Sequence, residues 1–483
     1  MEAYQPPRRR GRTAMPDPIH TLGAAGIAAA VAAGDIGARE AVEAHLERIA
    51  AVNPAVNAVT TPLAERARGE AEELDRRRAR GGPAGPLAGV PFTVKENIHV
   101  AGTATTFGVP RMRGLLPRED APPVRRLRAA GAVCVGRTNL PDMTLGGVHT
   151  SSTLYGDTAN PWDPARTPGG SSGGDGAAVA TGMAPLGLGN DSGGSVRVPA
   201  AFCGVAGLKP GYGRIASDHR IAGREPTLAS QLFPVDGPIA RNTADLRLAL
   251  SVLAGPDPGD PRAVPAPLQG PRPRGPVRVG VVADALGSGV DPGVRAAVRE
   301  AADALQEAGY AVEEAVPPRL SEALDGYGRL VMTEFALGWP HLKELIREEA
   351  RPYIERSMEK NPPADLPGYV QLAADRLGVQ REWARFQQEV PLLLGPVFTG
   401  PIPSPGEELQ SAEAHERVSG ALGLCAATTY VGVPAVAVPA GMADGLPRSV
   451  QVIGPMHRED LCLDAAEAIE RSFGTPTPID PRG

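Results

Sequence analysis

RTPGGSSGGDGAAVATGMAPLGLGNDSGGSVRVPAAFCGVAGLK, residues 166–209, is the stretch on which the reading of this chain turns. It contains two Gly-Gly-Ser turns, one ending at Ser171 and the other at Ser195. Glycine admits φ > 0 and lets a ligand come close to the main chain, so such turns suit sites where backbone N–H groups face a ligand. Each turn runs into small residues that can open a helix, Gly174 to Thr181 and Val196 to Ala201. N–H groups at a helix start lack partners and favour negative charge. A Gly/Ser run can also be a flexible linker. Apolar runs at 177–180, 183–188 and 199–205, with Asp191 set between Gly189 and Gly193, argue for an ordered site instead.

The succession Pro168-Gly169-Gly170-Ser171-Ser172-Gly173-Gly174, then Asp191-Ser192-Gly193-Gly194-Ser195, Ala201-Phe202-Cys203-Gly204 and Gly207-Leu208-Lys209-Pro210, resembles the amidase signature family. These are serine hydrolases with a Ser–cis-Ser–Lys triad. Upstream, Gly89-Val90-Pro91-Phe92-Thr93-Val94-Lys95 fits the strand that carries the family's lysine. Further matches at Thr138–Pro141, Asn160–Asp163, Gly432–Ala435 and Gln451–Gly454 spread the resemblance over most of the chain. It implies an α/β fold with a single large mixed β-sheet flanked by helices on both faces. By position it makes Ser195 the nucleophile, Ser171 the bridging serine after a cis Gly170–Ser171 peptide, and Lys95 the base. The backbone N–H groups of Ser192, Gly193, Gly194 and Ser195 would hold the oxyanion. Asp191 and Arg197 flank the nucleophile turn and are expected to pair and hold it. Two residues depart from the family pattern: Asn190 where relatives usually have Thr, and Asp175 where many have Ser. Both are expected near the triad and outside it, bearing on substrate detail rather than on activity.

The composition supports a lysine with a task. Only four lysines occur (Lys95, Lys209, Lys343, Lys360) among 49 basic residues. A lysine on an apolar strand of so arginine-rich a chain suits a role that a permanently charged guanidinium cannot fill. A lysine snorkelling from a strand end is the plain alternative. Lys209, within Gly-Leu-Lys-Pro, reads as a structural position near the core. Gly169–Gly173 also fits G-x-S-x-G, the α/β-hydrolase elbow, which would make Ser171 the nucleophile and require a downstream Asp and His. His219, His341, His415 and His457 are available, but the prolines of 161–168 make a poor preceding strand.

Length allows about three ordinary domains or one large α/β unit. The net charge of −6, with no basic face beyond the start, argues against nucleic acid as a partner. Residues 1–16 are expected to form a disordered basic tail. Residues 17–483 are expected to form the catalytic domain. Cys134, Cys203, Cys425 and Cys462 lie far apart without C-x-x-C spacing, as in a reduced cytoplasmic protein. No 18-residue apolar run exists, so no membrane contact is expected. No His/Cys/Glu cluster has metal-ligand spacing, so neither a metal nor another cofactor is expected. A small-molecule amide is the expected ligand, and a homodimer is compatible with this reading.

Along the chain, Leu22 to Ala51 has a helical pattern, and Leu63, Ala67, Ala71 and Leu74 mark a second helix with a charged outer face. Val90, Phe92 and Val94 predict a strand ending at Lys95, followed by strand–helix alternation through a helix at 243–253 that Thr243 can cap. Between 255 and 276, eight prolines and four glycines fill 22 positions, predicting an extended surface connection. Strand, helix and strand resume at 277–282, 292–308 and 310–316. Residues from about 319 to 389 read as amphipathic helices forming a substrate-pocket region. Their aromatics Trp339, Tyr353, Tyr369, Trp383 and Phe386 fit either a lid over the acyl pocket or an ordinary core.

Amide hydrolysis needs a nucleophile, a proton shuttle and oxyanion donors. The resemblance therefore implies a stand-alone amidase acting on linear amides through a Ser195 acyl-enzyme. The A subunit of a tRNA-dependent amidotransferase is the alternative. That protein commonly reads Gly-Gly-Ser-Ile-Arg-Gln-Pro at this turn, against Gly193-Gly194-Ser195-Val196-Arg197-Val198-Pro199 here. An acyl-transfer or esterase role would use the same triad.

Overall fold

The apolar run at Lys95 becomes one strand of an eleven-stranded sheet in a computed structural model that describes residues 18–282, 284 and 289–482. The tail expected over residues 1–16 lies outside the described residues. The first strands are β1 (Val59–Pro62), β2 (Pro91–Lys95) and β3 (Val133–Thr138), after which β4 (Ser151–Ser152) and β5 (Gly156–Asp157) pair only with each other. Then come β6 (Leu186–Asp191), β7 (Ala206–Lys209), β8 (Val235–Ala240), β9 (Arg278–Val281), β10 (Ala311–Glu314), β11 (Leu392–Pro396), β12 (Ala435–Ala443) and β13 (Leu446–Ile453). Across the large sheet the order is β1-β3-β2-β6-β8-β7-β12-β13-β11-β9-β10.

The pairing is mixed. β2 lies between β3 and β6 and runs parallel to both, whereas β8, β7, β12 and β13 follow antiparallel. Every residue of β2, β3 and β6 is buried, as expected of parallel strands covered on both faces. Val94 pairs with Leu188, so the carboxyl ends of β2 and β6 sit side by side, where α/β sheets commonly place ligands. The strands before and after the 255–276 connection belong to this one sheet, and the connection itself contributes no helix or sheet strand.

The helical pattern of 22–51 resolves into two helices, α1 (Ala24–Ala33) and α2 (Ala38–Val56), rather than one. Gly34 takes φ +84° and ends α1 in the left-handed conformation that glycine adopts without a Cβ penalty. The Asp75 carboxylate then accepts from the Ala38 and Arg39 N–H groups and starts α2. The charged helix α3 (Ala64–Ala79) and the short α4 (Pro122–Ala129) follow as expected. Next come α5 (Gly173–Ala180), α6 (Arg197–Cys203) and α7 (Leu228–Leu232). The helix at 243–253, α8, is capped by Asn242 and not by Thr243: Asn242 Oδ1 accepts from Asp245 N–H at 2.8 Å, and Thr243 is already helical.

After α9 (Pro292–Glu307), the 319–389 region forms α10 (Leu320–Leu342), α11 (Arg351–Lys360) and α12 (Leu366–Glu389). Its apolar faces join a second core cluster with Phe233 and Tyr430, distinct from the main core on the sheet. Trp383 is fully buried there and its indole N–H donates to the Pro318 carbonyl, so this aromatic belongs to the core. Burying a large apolar side chain contributes about 1.5–3 kcal/mol, enough for a few such residues to seat the helices on the sheet. Among the described residues no helix is long and apolar enough to cross a membrane.

Candidate active site

Lys95, the last residue of β2, is fully buried. Its Nζ donates to Ser171 Oγ at 2.7 Å and to Asn190 Oδ1 at 2.6 Å, both neutral acceptors. Burial disfavours the ammonium and pushes the Lys95 pKa down to about 7, against the opposing fields of Asp175, Asp191 and Asp236. A lysine so placed is neutral about half the time at pH 7, as a general base requires.

Ser171 reaches Lys95 from an unusual piece of backbone. The Gly170–Ser171 peptide is cis, and Gly169 before it takes φ +83°. A Cβ on Gly169 would stand 2.8 Å from the backbone of Pro199, so the two Gly-Ser segments press directly against each other. Thr150 Oγ1 donates to the Gly169 carbonyl and accepts from the Gly173 N–H. The neighbouring Ser172 donates its N–H to the Ser195 carbonyl at 3.2 Å and its hydroxyl to the Asn190 carbonyl at 3.3 Å. Main-chain contacts thus hold the Ser171 segment to the Ser195 turn. The Ser195 hydroxyl itself has no hydrogen-bond partner among the described residues, so Lys95 and Ser171 are directly joined while Ser195 stands beside them.

The Ser195 turn is wound around one carboxylate. Asp191 accepts from the N–H groups of Gly193, Gly194, Val196 and Arg197 at 2.8–3.4 Å. The Arg197 guanidinium completes the cage with bidentate contacts of 2.9 Å, both side chains being fully buried. Burial would raise the Asp191 pKa, but the charge and hydrogen bonds of Arg197 overcome it and hold the carboxyl well below its usual range. Arg197 also donates to Gln451 Oε1, the Cys425 carbonyl and Thr429 Oγ1, so each of its three nitrogens has a partner. The expected pairing of Asp191 with Arg197 is therefore present. Of the four N–H groups expected to face an oxyanion, those of Gly193 and Gly194 are committed to Asp191. Those of Ser192 and Ser195 have no acceptor among the described residues.

The two departures from the family pattern both lie near Lys95, as expected. Asn190 touches it directly. Asp175, at the start of α5, is fully buried, accepts from Thr93 Oγ1 at 3.1 Å, and leaves Oδ2 without a partner. Burial raises its pKa to about 7, against the attraction of Lys95. Gly187 makes the room, since a Cβ there would lie 3.0 Å from that of Asp175. The sequence marked both positions as unusual; what it lacked was the third dimension that sets Asn190 against the lysine and brings Asp175 within its field.

Lys209 is buried and donates to the Val433 and Pro210 carbonyls, in keeping with a structural position. The elbow alternative finds no support in the geometry. Ser171 bonds to a lysine, and no histidine reaches Ser171 or Ser195 among the described residues. His219 bonds to Asp236 and His415 to Ser357. No group of three or more His, Cys, Asp or Glu among the described residues is arranged to hold a metal ion.

Comparison with known proteins gives the family. The chain matches the model of the Amidase family over residues 40–463. It is 40% identical over 459 residues to an indoleacetamide hydrolase of Bradyrhizobium diazoefficiens, covering 95% of this chain and 87% of that protein. It is 34% identical over 495 residues to the A subunit of the glutamyl-tRNA(Gln) amidotransferase of Salinispora arenicola, covering 95% and 99%. Among solved structures, 6-aminohexanoate cyclic dimer hydrolase complexed with substrate has a TM-score of 0.81 at 31% identity, covering 96% of this chain and 99% of that one.

Proposed function

The chain belongs to the amidase signature family, whose members hydrolyse amide bonds, and we propose on that premise that it cleaves a small linear carboxamide through an acyl-enzyme on Ser195. The observation that carries the reading is the 2.7 Å contact between Ser171 Oγ and a fully buried Lys95 whose pKa lies near neutrality. Ser195 Oγ attacks the amide carbonyl and passes its proton to Ser171 Oγ, whose own proton moves to neutral Lys95 Nζ. The uncommitted N–H groups of Ser192 and Ser195 hold the oxyanion, since Asp191 occupies those of Gly193 and Gly194. The same relay runs backwards to protonate the leaving nitrogen, and ammonia or an amine departs. Water, deprotonated through Ser171 and Lys95, then releases the carboxylate and restores the resting state.

The first substrate to test is indole-3-acetamide, because the indoleacetamide hydrolase relative shares 40% of its residues with this chain across most of both. The turn at Ser195–Pro199, with Val198 where the amidotransferase proteins commonly carry Gln, favours an enzyme that works alone, and the net charge of −6 and the spread of the cysteines suit a cytoplasmic enzyme without nucleic acid. One catalytic unit covers 17–483 in this reading. The test uses the purified full chain, a panel of carboxamides and an active-site fluorophosphonate, with neither ATP nor tRNA present. Ammonia release and labelling are expected in the wild type, and both are expected to vanish in Ser195→Ala. Ammonia release that appears only after a partner protein is added would replace this reading with the amidotransferase one.

A further inference from the structure

Tyr327, in the first half of α10, is 135 residues from Ser192 of the nucleophile turn and yet touches it: its hydroxyl donates to the Ser192 carbonyl at 2.5 Å. That carbonyl and the Gly193 N–H belong to one planar peptide unit. The N–H end is donated to Asp191 Oδ1 at 3.2 Å, so the unit is gripped at both ends, by Asp191 from inside the turn and by Tyr327 from outside. A second observation ties the same pair together. Gly193 has no positive φ that would demand glycine, but a Cβ built on it would stand 2.6 Å from the Tyr327 hydroxyl. The glycine is there to admit the tyrosine. Phe233 packs on the Tyr327 ring with centroids 5.3 Å apart, which limits where the hydroxyl can go. Burial raises the Tyr327 pKa above its ordinary value, so the hydroxyl stays a donor throughout the working pH range.

We propose that Tyr327 is a positioning residue for the hydrolysis: it clamps the Ser192–Gly193 peptide and so aims the Ser192 and Ser195 N–H groups at the oxyanion, linking the helical 319–389 region to the chemistry. The proposal rests on the Ser195 reading above. Its effect falls on the tetrahedral stage, where the N–H groups act, and not on ground-state binding.

Three variants of the full chain test it: Tyr327→Phe, Gly193→Ala and the double. For each, kcat and KM on one amide, the rate of fluorophosphonate labelling and the thermal midpoint are measured. Tyr327→Phe is expected to lower kcat and the labelling rate together by about tenfold, the size of one ordinary hydrogen bond felt in the transition state. KM should stay within about twofold, since uniform binding is untouched. Gly193→Ala alone should lose more than the double variant, because the double removes the oxygen that the new methyl strikes. An unchanged kcat in Tyr327→Phe, or a loss confined to KM or the thermal midpoint, would overturn the proposal. So would a double variant worse than Gly193→Ala. A wild-type chain that fails to label overturns the Ser195 reading itself, a result the variants do not produce.

Discussion

Replacing Asn190 by aspartate, Asn190→Asp, puts a carboxylate where the structure has a neutral amide oxygen 2.6 Å from Lys95 Nζ. At an effective dielectric of about 20, a full charge pair at that distance attracts with roughly 6 kcal/mol before desolvation. Taking a second charge out of water offsets much of this. Opposite charges this close shift a pKa by about 1–3 units in practice. The Lys95 pKa, now about 7, should therefore rise to about 8–10. In the proposed relay the working base is the neutral amine, so kcat/KM is expected to be lost as pH falls through this pKa. At pH 7 the neutral fraction drops from about a half to between about a tenth and a thousandth, a loss of roughly 5- to 500-fold. The assay is a pH profile of kcat/KM for an amide stable to alkali. The variant should be poor at pH 7 and regain wild-type activity near pH 10. Asn190→Thr, which keeps a neutral acceptor, should leave the acid limb near pH 7. If the acid limb of Asn190→Asp coincides with that of the wild type, Lys95 is not the group whose deprotonation limits the rate.

Two further outcomes follow from the buried charges. Lys95→Arg should fold but lose at least about 10²-fold in turnover, the low end for general-base catalysis, because a guanidinium does not deprotonate; near-normal turnover in a folded variant would rule Lys95 out as the base. Arg197→Met should leave Asp191 buried without its cation and cost about 3–5 kcal/mol of stability, read as a lower midpoint in urea; a midpoint equal to the wild type would mean that the four N–H groups satisfy Asp191 unaided.

Much of the site was legible along the chain because its parts are local. Ser171, Asp191 and Ser195 occur within 25 consecutive residues, and Gly169 and Gly194 beside the two serine turns take the positive φ that favours glycine. The strand ending at Lys95 alternates plainly, and its side chain meets Ser171 as expected. What escaped was decided by contacts between distant segments. Asn190 reads as a family departure until β2 and β6 are laid side by side. Tyr327 has no sequence signal, since its partner is a carbonyl 135 residues away and its imprint is only a missing Cβ at Gly193. The break between α1 and α2 rests on Gly34 and on a carboxylate from α3, and the first of these could have been read from the sequence.

The Arg197 fork has a consequence for how the enzyme comes into being. Its acceptors on Cys425, Thr429 and Gln451 lie 228, 232 and 254 residues further along the chain. At the usual pace of about 5–20 residues per second, Ser195 emerges from the ribosome roughly 10–50 seconds before Gln451 is made. During that interval the nascent chain has a serine but not the completed cage that holds it. The cage around the Ser195 turn is thus completed only when the last strands of the sheet are made.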